Sequence, residues 1–225
     1  MLVPLPVACP ACGELSTATV HVTKDHAQHS CPHCGAVGAI HDPLSVSVVA
    51  ERLLVRVQSE IDKGDFTIAI VLSAMAVETA VIQAYLKWKA IEHYAAGGPL
   101  NPPAAAVETW EACYRLEARG FESGVKFVGK FLVGKTFNSF VSEKQAAAAQ
   151  PTGLLTAGTI QKDLFDKRNA AMHRGKMNFS KEDAEKAYAA AIQAVRTVKW
   201  MDEDKYQAEE KARRDELYAA SQPTV

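Results

Sequence analysis

The chain has 225 residues, of which 48% are hydrophobic and 23% are charged. These values exclude a collagen-like or disordered chain and a large multidomain protein, and they allow one or two globular domains. Lys and Arg number 25 against 26 Asp and Glu, which gives a net charge of −1. A contact with nucleic acid must therefore come from a local basic patch.

The N-terminus and the longest apolar stretch predict where the protein is found. Residues 1–6 contain two prolines and no basic residue, which is not the pattern of a signal peptide. The strongly apolar residues 66–77 are followed by Glu78, and we expect this stretch to be too short to cross a bilayer. We predict a cytoplasmic protein with no membrane partner.

Four of the five cysteines form two CxxC pairs, Cys9 with Cys12 and Cys31 with Cys34. In each CPxCG turn two thiolates can reach one ion, and the glycine can adopt the left-handed conformation that directs amides at sulfur. Short strands are predicted over residues 15–22 and 36–40, so the segment resembles a zinc ribbon. Four thiolates complete a tetrahedron and leave no position for a reacting water, so we expect a structural Zn²⁺ ion.

Alternatives remain open for the cysteines. The pairs could be redox-active or form disulfides, and a nearby histidine could replace one cysteine ligand. One lysine stands against three acidic residues in residues 1–42, so we do not expect the ribbon to bind nucleic acid alone. Cys113 stands among apolar neighbours and is predicted to be a buried thiol.

The rest of the chain is predicted to be helical. Apolar residues recur every three to four positions over residues 44–61, and Gly64 ends that helix. Asp65 can cap a longer helix that runs to about Tyr94, and its nearly continuous apolar surface predicts a central, buried position.

Later helices are predicted from local signals. They cover residues 104–119, residues 159–174 with Gly175 as the C-terminal cap, and a last helix that begins at Ser180, while residues 121–145 are ambiguous. The predicted fold is mostly α, with a small N-terminal β zinc ribbon at 1–42, a helical bundle at 43–206, and a charged helical extension or disordered tail at 207–225.

Residues 129–136 match the GxxxxGK[ST] pattern of a phosphate-binding loop. Bulky Phe131, Leu132 and Val133 occupy positions where the backbone must approach phosphate, and the surroundings are helical. ATP binding by this loop is the weaker alternative. The stronger one is an amphipathic segment with exposed Lys130 and Lys135.

The string RNAAMH contains Arg168, Asn169 and His173 near the end of the fifth helical segment. With its polar residue directly after the arginine, it resembles the Rx4-6H motif of the HEPN superfamily. The resemblance covers about residues 43–206, because a long apolar second helix bearing Glu78 precedes the motif and a further helix follows. The zinc ribbon in front is similar to arrangements in some bacterial HEPN-like proteins.

The resemblance implies a HEPN-like helical bundle that acts as a metal-independent endoribonuclease, with the motifs of two subunits in one cleft of a homodimer. It assigns His173 as the acid or base at the ribose 2′-hydroxyl, Arg168 as the phosphate clamp and Asn169 as an orienting partner. The product would carry a 2′,3′-cyclic phosphate and a 5′-hydroxyl. A toxin or phage-defence role, with an antitoxin or regulatory protein as partner, is also implied.

Helix geometry leaves the assembly of this site open. Five residues separate Arg168 from His173, which places them about 140° apart around a straight helix. The arginine could reach round the helix, the helix could loosen near Gly175, or a second subunit could complete the site. Glu78 is predicted either as an acid near the cleft or as a paired carboxylate in the core.

The cations beside the motif supply the local positive surface that the global charge lacks. We expect RNA to contact Lys167, Arg174 and Lys176, although cations at a helix C-terminus also stabilise the helix alone. A non-catalytic HEPN-like module that binds RNA or protein is the main alternative to the nuclease.

Overall fold

The computed structural model describes residues 2–8, 15–21, 26–41, 47–99, 102–149 and 152–221, with side chains described over 30–37, 49–99, 102–149 and 152–216. The described chain is mostly helical, which confirms the predicted class. It divides into two compact units, Met1–Ser45 and Val46–Val225. This boundary lies three residues after the predicted one.

The first unit contains two antiparallel hairpins. Strand β1 (Leu2–Ala8) pairs with β2 (Leu15–His21), and β3 (His26–Ser30) pairs with β4 (Val37–His41). Cys31 and Cys34 lie in the connection between β3 and β4. The second hairpin therefore carries one candidate pair of metal ligands at its turn.

The second unit is built from helices joined by short connections. They are α1 (Ser47–Lys63), α2 (Phe66–Ala95), α3 (Ala104–Glu117), α4 (Phe121–Val133), α5 (Phe137–Ala147), α6 (Ala157–Ile160), a π-helical segment (Gln161–Phe165), α7 (Asp166–Arg174) and α8 (Lys181–Ser221). The ambiguous residues 121–145 form the helices α4 and α5.

Helix α2 occupies the centre of this unit, as its apolar surface predicted. It packs against α1, α8, α4, α7 and α3. Fully buried alanines on α2 and α8 allow the two helix backbones to approach closely. With 30 residues, α2 is long and apolar enough to cross a membrane by length and composition, and the strongly apolar residues 66–77 form only its first part; a buried core helix has the same composition.

Local signals fix the ends of several helices. Gly64 (φ 84°) ends α1, and Gly175 (φ 63°) ends α7, where the N–H of Lys176 donates to the carbonyl of Ala170. Asp65 occupies the N-cap position of α2, but its side chain makes no capping hydrogen bond there.

The last helix begins with a reciprocal cap. The N–H of Asp183 donates to Oγ of Ser180 at 3.1 Å, and the N–H of Ser180 donates to Oδ2 of Asp183 at 3.3 Å. Helix α8 then continues to Ser221, so the charged extension beyond residue 206 is helical as far as that residue.

Candidate functional site

The predicted catalytic residues lie on α7, which is regular α-helix from Asp166 through Arg174. The helix therefore does not loosen near Gly175, which excludes one of the three ways in which the site could be assembled. The irregular turn is the π-helical segment Gln161–Phe165, which precedes the motif. Arg168 and His173 consequently remain about 140° apart around the helix axis.

Arg168 is held at the junction of α7 and α2. Its Nη2 lies 3.5 Å from Oε1 of Glu78, and its Nη1 donates to Oδ1 of Asn169 at 3.1 Å. The Arg168 side chain is 27% exposed and that of Glu78 is 47% exposed. Glu78 is therefore an ion-pair partner at the surface, and the expectation of a core carboxylate is wrong. Asn169 is the acceptor of an Arg168 hydrogen bond.

His173 lies on the last turn of α7 and is exposed, as are its neighbours Met172 and Met177. Within the described part of the chain, its imidazole has no hydrogen-bond or ion-pair partner. Within one subunit, Arg168 therefore contacts Glu78 and Asn169, whereas His173 faces solvent.

The three predicted RNA-contacting cations differ in availability. Nζ of Lys167 lies 3.0 Å from Oδ1 of Asp183, and its hydrogen bond holds the pKa of that carboxyl below the ordinary value. Lys167 thus joins α7 to the first turn of α8. Arg174 is exposed, and the exposed Lys176 lies over the Phe179 ring at 4.8 Å. Arg174 and Lys176 are the more accessible candidates for phosphate contact.

A groove of about 300 Å³ opens beside the Arg168–Glu78 pair. Its walls come from α2, α3, α4 and the connection between α3 and α4, namely Glu78, Thr79, Val81, Ile82, Tyr114, Ala118, Gly120 and Phe121. Burial and the charge of Glu78 raise the pKa of Tyr114 to about 12. Tyr114 and Phe121 are candidate site residues that the sequence analysis missed, because no local pattern shows which part of α2 they face.

The GxxxxGK[ST] string does not form a phosphate-binding loop. Its first part belongs to α4, Gly134 (φ 69°) ends that helix, and Thr136 caps α5 by accepting a hydrogen bond from the N–H of Ser139. Helical amides are already hydrogen-bonded and cannot wrap phosphate. Lys135 pairs with Glu143 at 2.5 Å. The ATP-binding alternative is contradicted, whereas Lys130 and Lys135 are exposed as the amphipathic alternative required.

The first glycine of this string serves packing. A Cβ atom at Gly129 would lie 2.8 Å from the Lys135 carbonyl oxygen and 3.2 Å from the Phe137 nitrogen, both backbone atoms. Gly129→Ala is therefore expected to destabilise the protein by about 1–2 kcal/mol, since overpacking outweighs the roughly 1 kcal/mol gained in helix propensity.

Chemical denaturation checks this expectation. Gly158→Ala in α6 is the matched control, because the nearest atom to its added Cβ is Oε1 of Glu122 at 4.0 Å. If Gly129→Ala is as stable as the wild type or more stable, the turn between α4 and α5 can shift to accommodate the added methyl group without loss of stability.

The cysteines are described only in part. Cys9 and Cys12 lie outside the described residues. In the second CPxCG turn, the N–H of Gly35 donates to the Cys31 carbonyl at 2.9 Å. Gly35 has a φ of 71°, the left-handed conformation that was predicted for the glycine of this turn. Cys113 is exposed, so its predicted burial is wrong.

Comparisons with known proteins give no relative. No family model matches the chain, and neither a curated protein nor a solved structure matches it. Its function is therefore inferred from its own residues.

Proposed function

We propose that the helical unit is a HEPN-like domain and that the protein is a metal-independent endoribonuclease acting as a homodimer. The observation that carries this proposal is the placement of Arg168, which contacts both Asn169 and the groove-lining Glu78, with His173 exposed on the same helix. A guanidinium suits the fork of phosphate oxygens, and an imidazole can move a proton near neutral pH.

In the proposed reaction His173 accepts the proton of a ribose 2′-hydroxyl. The 2′-oxygen attacks the adjacent phosphorus, the bond from phosphorus to the 5′-oxygen breaks, and the leaving 5′-oxygen takes up a proton from the imidazolium that His173 has become. Arg168 stabilises the additional negative charge on the phosphoryl oxygens. The products carry a 2′,3′-cyclic phosphate and a 5′-hydroxyl, and the chain's own groups perform each proton transfer without a metal ion.

A second copy of the chain is proposed to complete the site. The angle of about 140° separates Arg168 from His173 within one helix, so the histidine of one subunit would serve the arginine of the other. Ile68 and Met75 on α2, and Met172 and Met177 around the motif, are exposed apolar residues. A self-complementary interface in a two-fold dimer would bury them and bring the two α7 helices together.

The first unit is proposed to be a zinc ribbon that holds a structural Zn²⁺ ion through Cys9, Cys12, Cys31 and Cys34. The hairpins and the left-handed Gly35 support this assignment. The ion supplies folding stability only. A cytoplasmic toxin or phage-defence role, restrained by an antitoxin or regulatory protein, remains the biological setting that the HEPN-like motif suggests.

Two observations favour a non-catalytic HEPN-like module as the second candidate. Glu78 neutralises Arg168, and one subunit keeps Arg168 and His173 apart. Such a module would bind RNA or a protein partner and leave RNA intact.

Mapping of RNA ends tests the nuclease against this module. Purified protein is incubated with total cellular RNA in EDTA, and circular dichroism verifies that it stays folded. We expect fragments with 5′-hydroxyl and 2′,3′-cyclic phosphate ends from the wild type and none from His173→Ala. Intact RNA with a folded, dimeric wild type would favour the binding module, and cleavage that requires added Mg²⁺ would contradict the metal-independent mechanism.

A further inference from the structure

We propose that the groove beside Arg168 binds a guanine base of single-stranded RNA, next to the phosphate that is cleaved. This inference rests on the proposed ribonuclease function and names its substrate preference. It follows from the position of Glu78, whose carboxylate lines the groove and also lies 3.5 Å from the Arg168 guanidinium. A phosphate on the arginine would therefore place an adjoining base within reach of the groove.

The walls of the groove suit a flat, unstacked base. Tyr114 and Phe121 provide aromatic rings, and Val81, Ile82 and Ala118 provide apolar surface. Phe121 is fixed by stacking on Phe165, with ring centroids 4.4 Å apart and an angle of 15° between the planes. Proteins that read single-stranded RNA use such rings to stack a base whose polar edge is then hydrogen-bonded.

The polar groups of the groove select guanine. A carboxylate only accepts hydrogen bonds, and guanine alone presents two adjacent donors, N1–H and N2–H, on its Watson–Crick edge. Adenine and cytosine each place a ring-nitrogen acceptor beside the amino donor, and uracil has one donor between two carbonyl oxygens. Each of these bases would direct a lone pair at the Glu78 carboxylate, and this repulsion lowers their affinity relative to guanine.

Tyr114 supplies the complementary donor. Its hydroxyl has no hydrogen-bond partner among the residues that the structure describes. A tyrosine hydroxyl is protonated at neutral pH, and burial and the charge of Glu78 raise its pKa further, to about 12. The hydroxyl can therefore donate to the guanine O6 acceptor. The residue opposite this hydroxyl is Gly124, which has no side chain to crowd it. A Cβ atom at position 124 would lie only 3.1 Å from the hydroxyl oxygen.

Glu78 can change partners when RNA binds. Its separation of 3.5 Å from Arg168 is longer than a charge-assisted hydrogen bond, so the carboxylate lone pairs are available to a base. The phosphate then takes the place of the carboxylate beside the guanidinium. Base and phosphate thus bind cooperatively on two groups that pair with each other in the free protein.

Binding measurements on the full-length His173→Ala protein test the groove without cleavage. The probes are uridine oligonucleotides carrying one central G, A or C, and guanosine 5′-monophosphate alone. We expect the G oligonucleotide to bind about tenfold tighter than the A oligonucleotide, as for one well-formed polar base contact. Tight binding of the monophosphate with no G preference in the oligonucleotides would overturn the assignment to RNA.

Two groove substitutions, each with a control elsewhere on the same helix or on α3, test which residues produce the guanine preference. Glu78→Gln is expected to reduce it to about twofold or less, whereas Glu92→Gln, a change at an exposed carboxylate of the same helix, leaves it intact. Ala118→Leu fills the groove without touching Arg168 and is expected to remove the preference, while Ala112→Leu at an exposed position of α3 keeps it. A preference that persists in both groove variants would overturn the inference.

The outcomes separate this inference from the proposed function. RNA cleavage by the wild type without a G preference would leave the nuclease standing and overturn the groove assignment. G-selective oligonucleotide binding that depends on Glu78, in a wild type that cuts no RNA, would support the groove and overturn the nuclease.

Discussion

His173→Ala is expected to lower the rate of RNA cleavage about 10²–10⁴-fold, the usual loss when a positioned acid or base is removed. The imidazole is exposed on the last turn of α7, so its removal should leave the fold intact. Initial rates on one defined RNA, together with thermal unfolding, measure both effects. Asn178→Ala, at an exposed position after the helix, serves as the control and should cut at the wild-type rate.

Mixing two inactive variants tests whether the site spans two subunits. Arg168→Ala and His173→Ala proteins are unfolded, mixed and refolded, so that about half of the dimers carry one subunit of each kind. A shared site leaves each mixed dimer with one intact arginine–histidine pair, and the mixture should recover about a quarter of the wild-type rate. An active wild type with no recovery in the mixture would instead place the whole site within one chain.

The helices that the sequence predicted well are those with strong local signals. Gly64, Gly175 and Ser180 ended or began helices at the predicted positions, because left-handed glycines and N-caps act over a few residues. The break between α4 and α5 carried the same kinds of signal. Gly134 ends one helix and Thr136 caps the next, and both also match the phosphate-loop pattern that was the weaker alternative.

The candidate site could be predicted only where its residues are close in sequence. Arg168, Asn169 and His173 form one short string, whereas Glu78 belongs to a helix 90 positions earlier and meets Arg168 only through the packing of α2 against α7. Its apolar sequence neighbours suggested burial. Neighbours along a helix point in other directions, however, and Met75 and Glu78, three apart, share the exposed side of α2.

Asp202→Ala is expected to destabilise the protein by about 3–5 kcal/mol, the usual effect of removing one partner of a buried ion pair. Asp202 is only 7% exposed and joins α8 to α2. Its Oδ2 accepts from Nζ of Lys87 at 2.7 Å, and its Oδ1 accepts from Nε1 of Trp88 at 2.7 Å. The substitution leaves a buried ammonium and an indole N–H without their acceptor, so both groups lose stabilisation that water cannot replace.

Asp204→Ala provides the matched control for Asp202→Ala, two residues further along α8. Asp204 pairs with Lys144 at 2.8 Å, but its side chain is 38% exposed, so water can solvate the lysine after the change. Asp204→Ala should therefore lower the free energy of unfolding by only about 0–1 kcal/mol. Thermal unfolding should place the two variants roughly 4–20 °C apart in Tm. Equal Tm values would mean that the α2–α8 interface admits water at Lys87 and that the alanine-lined packing alone joins these helices.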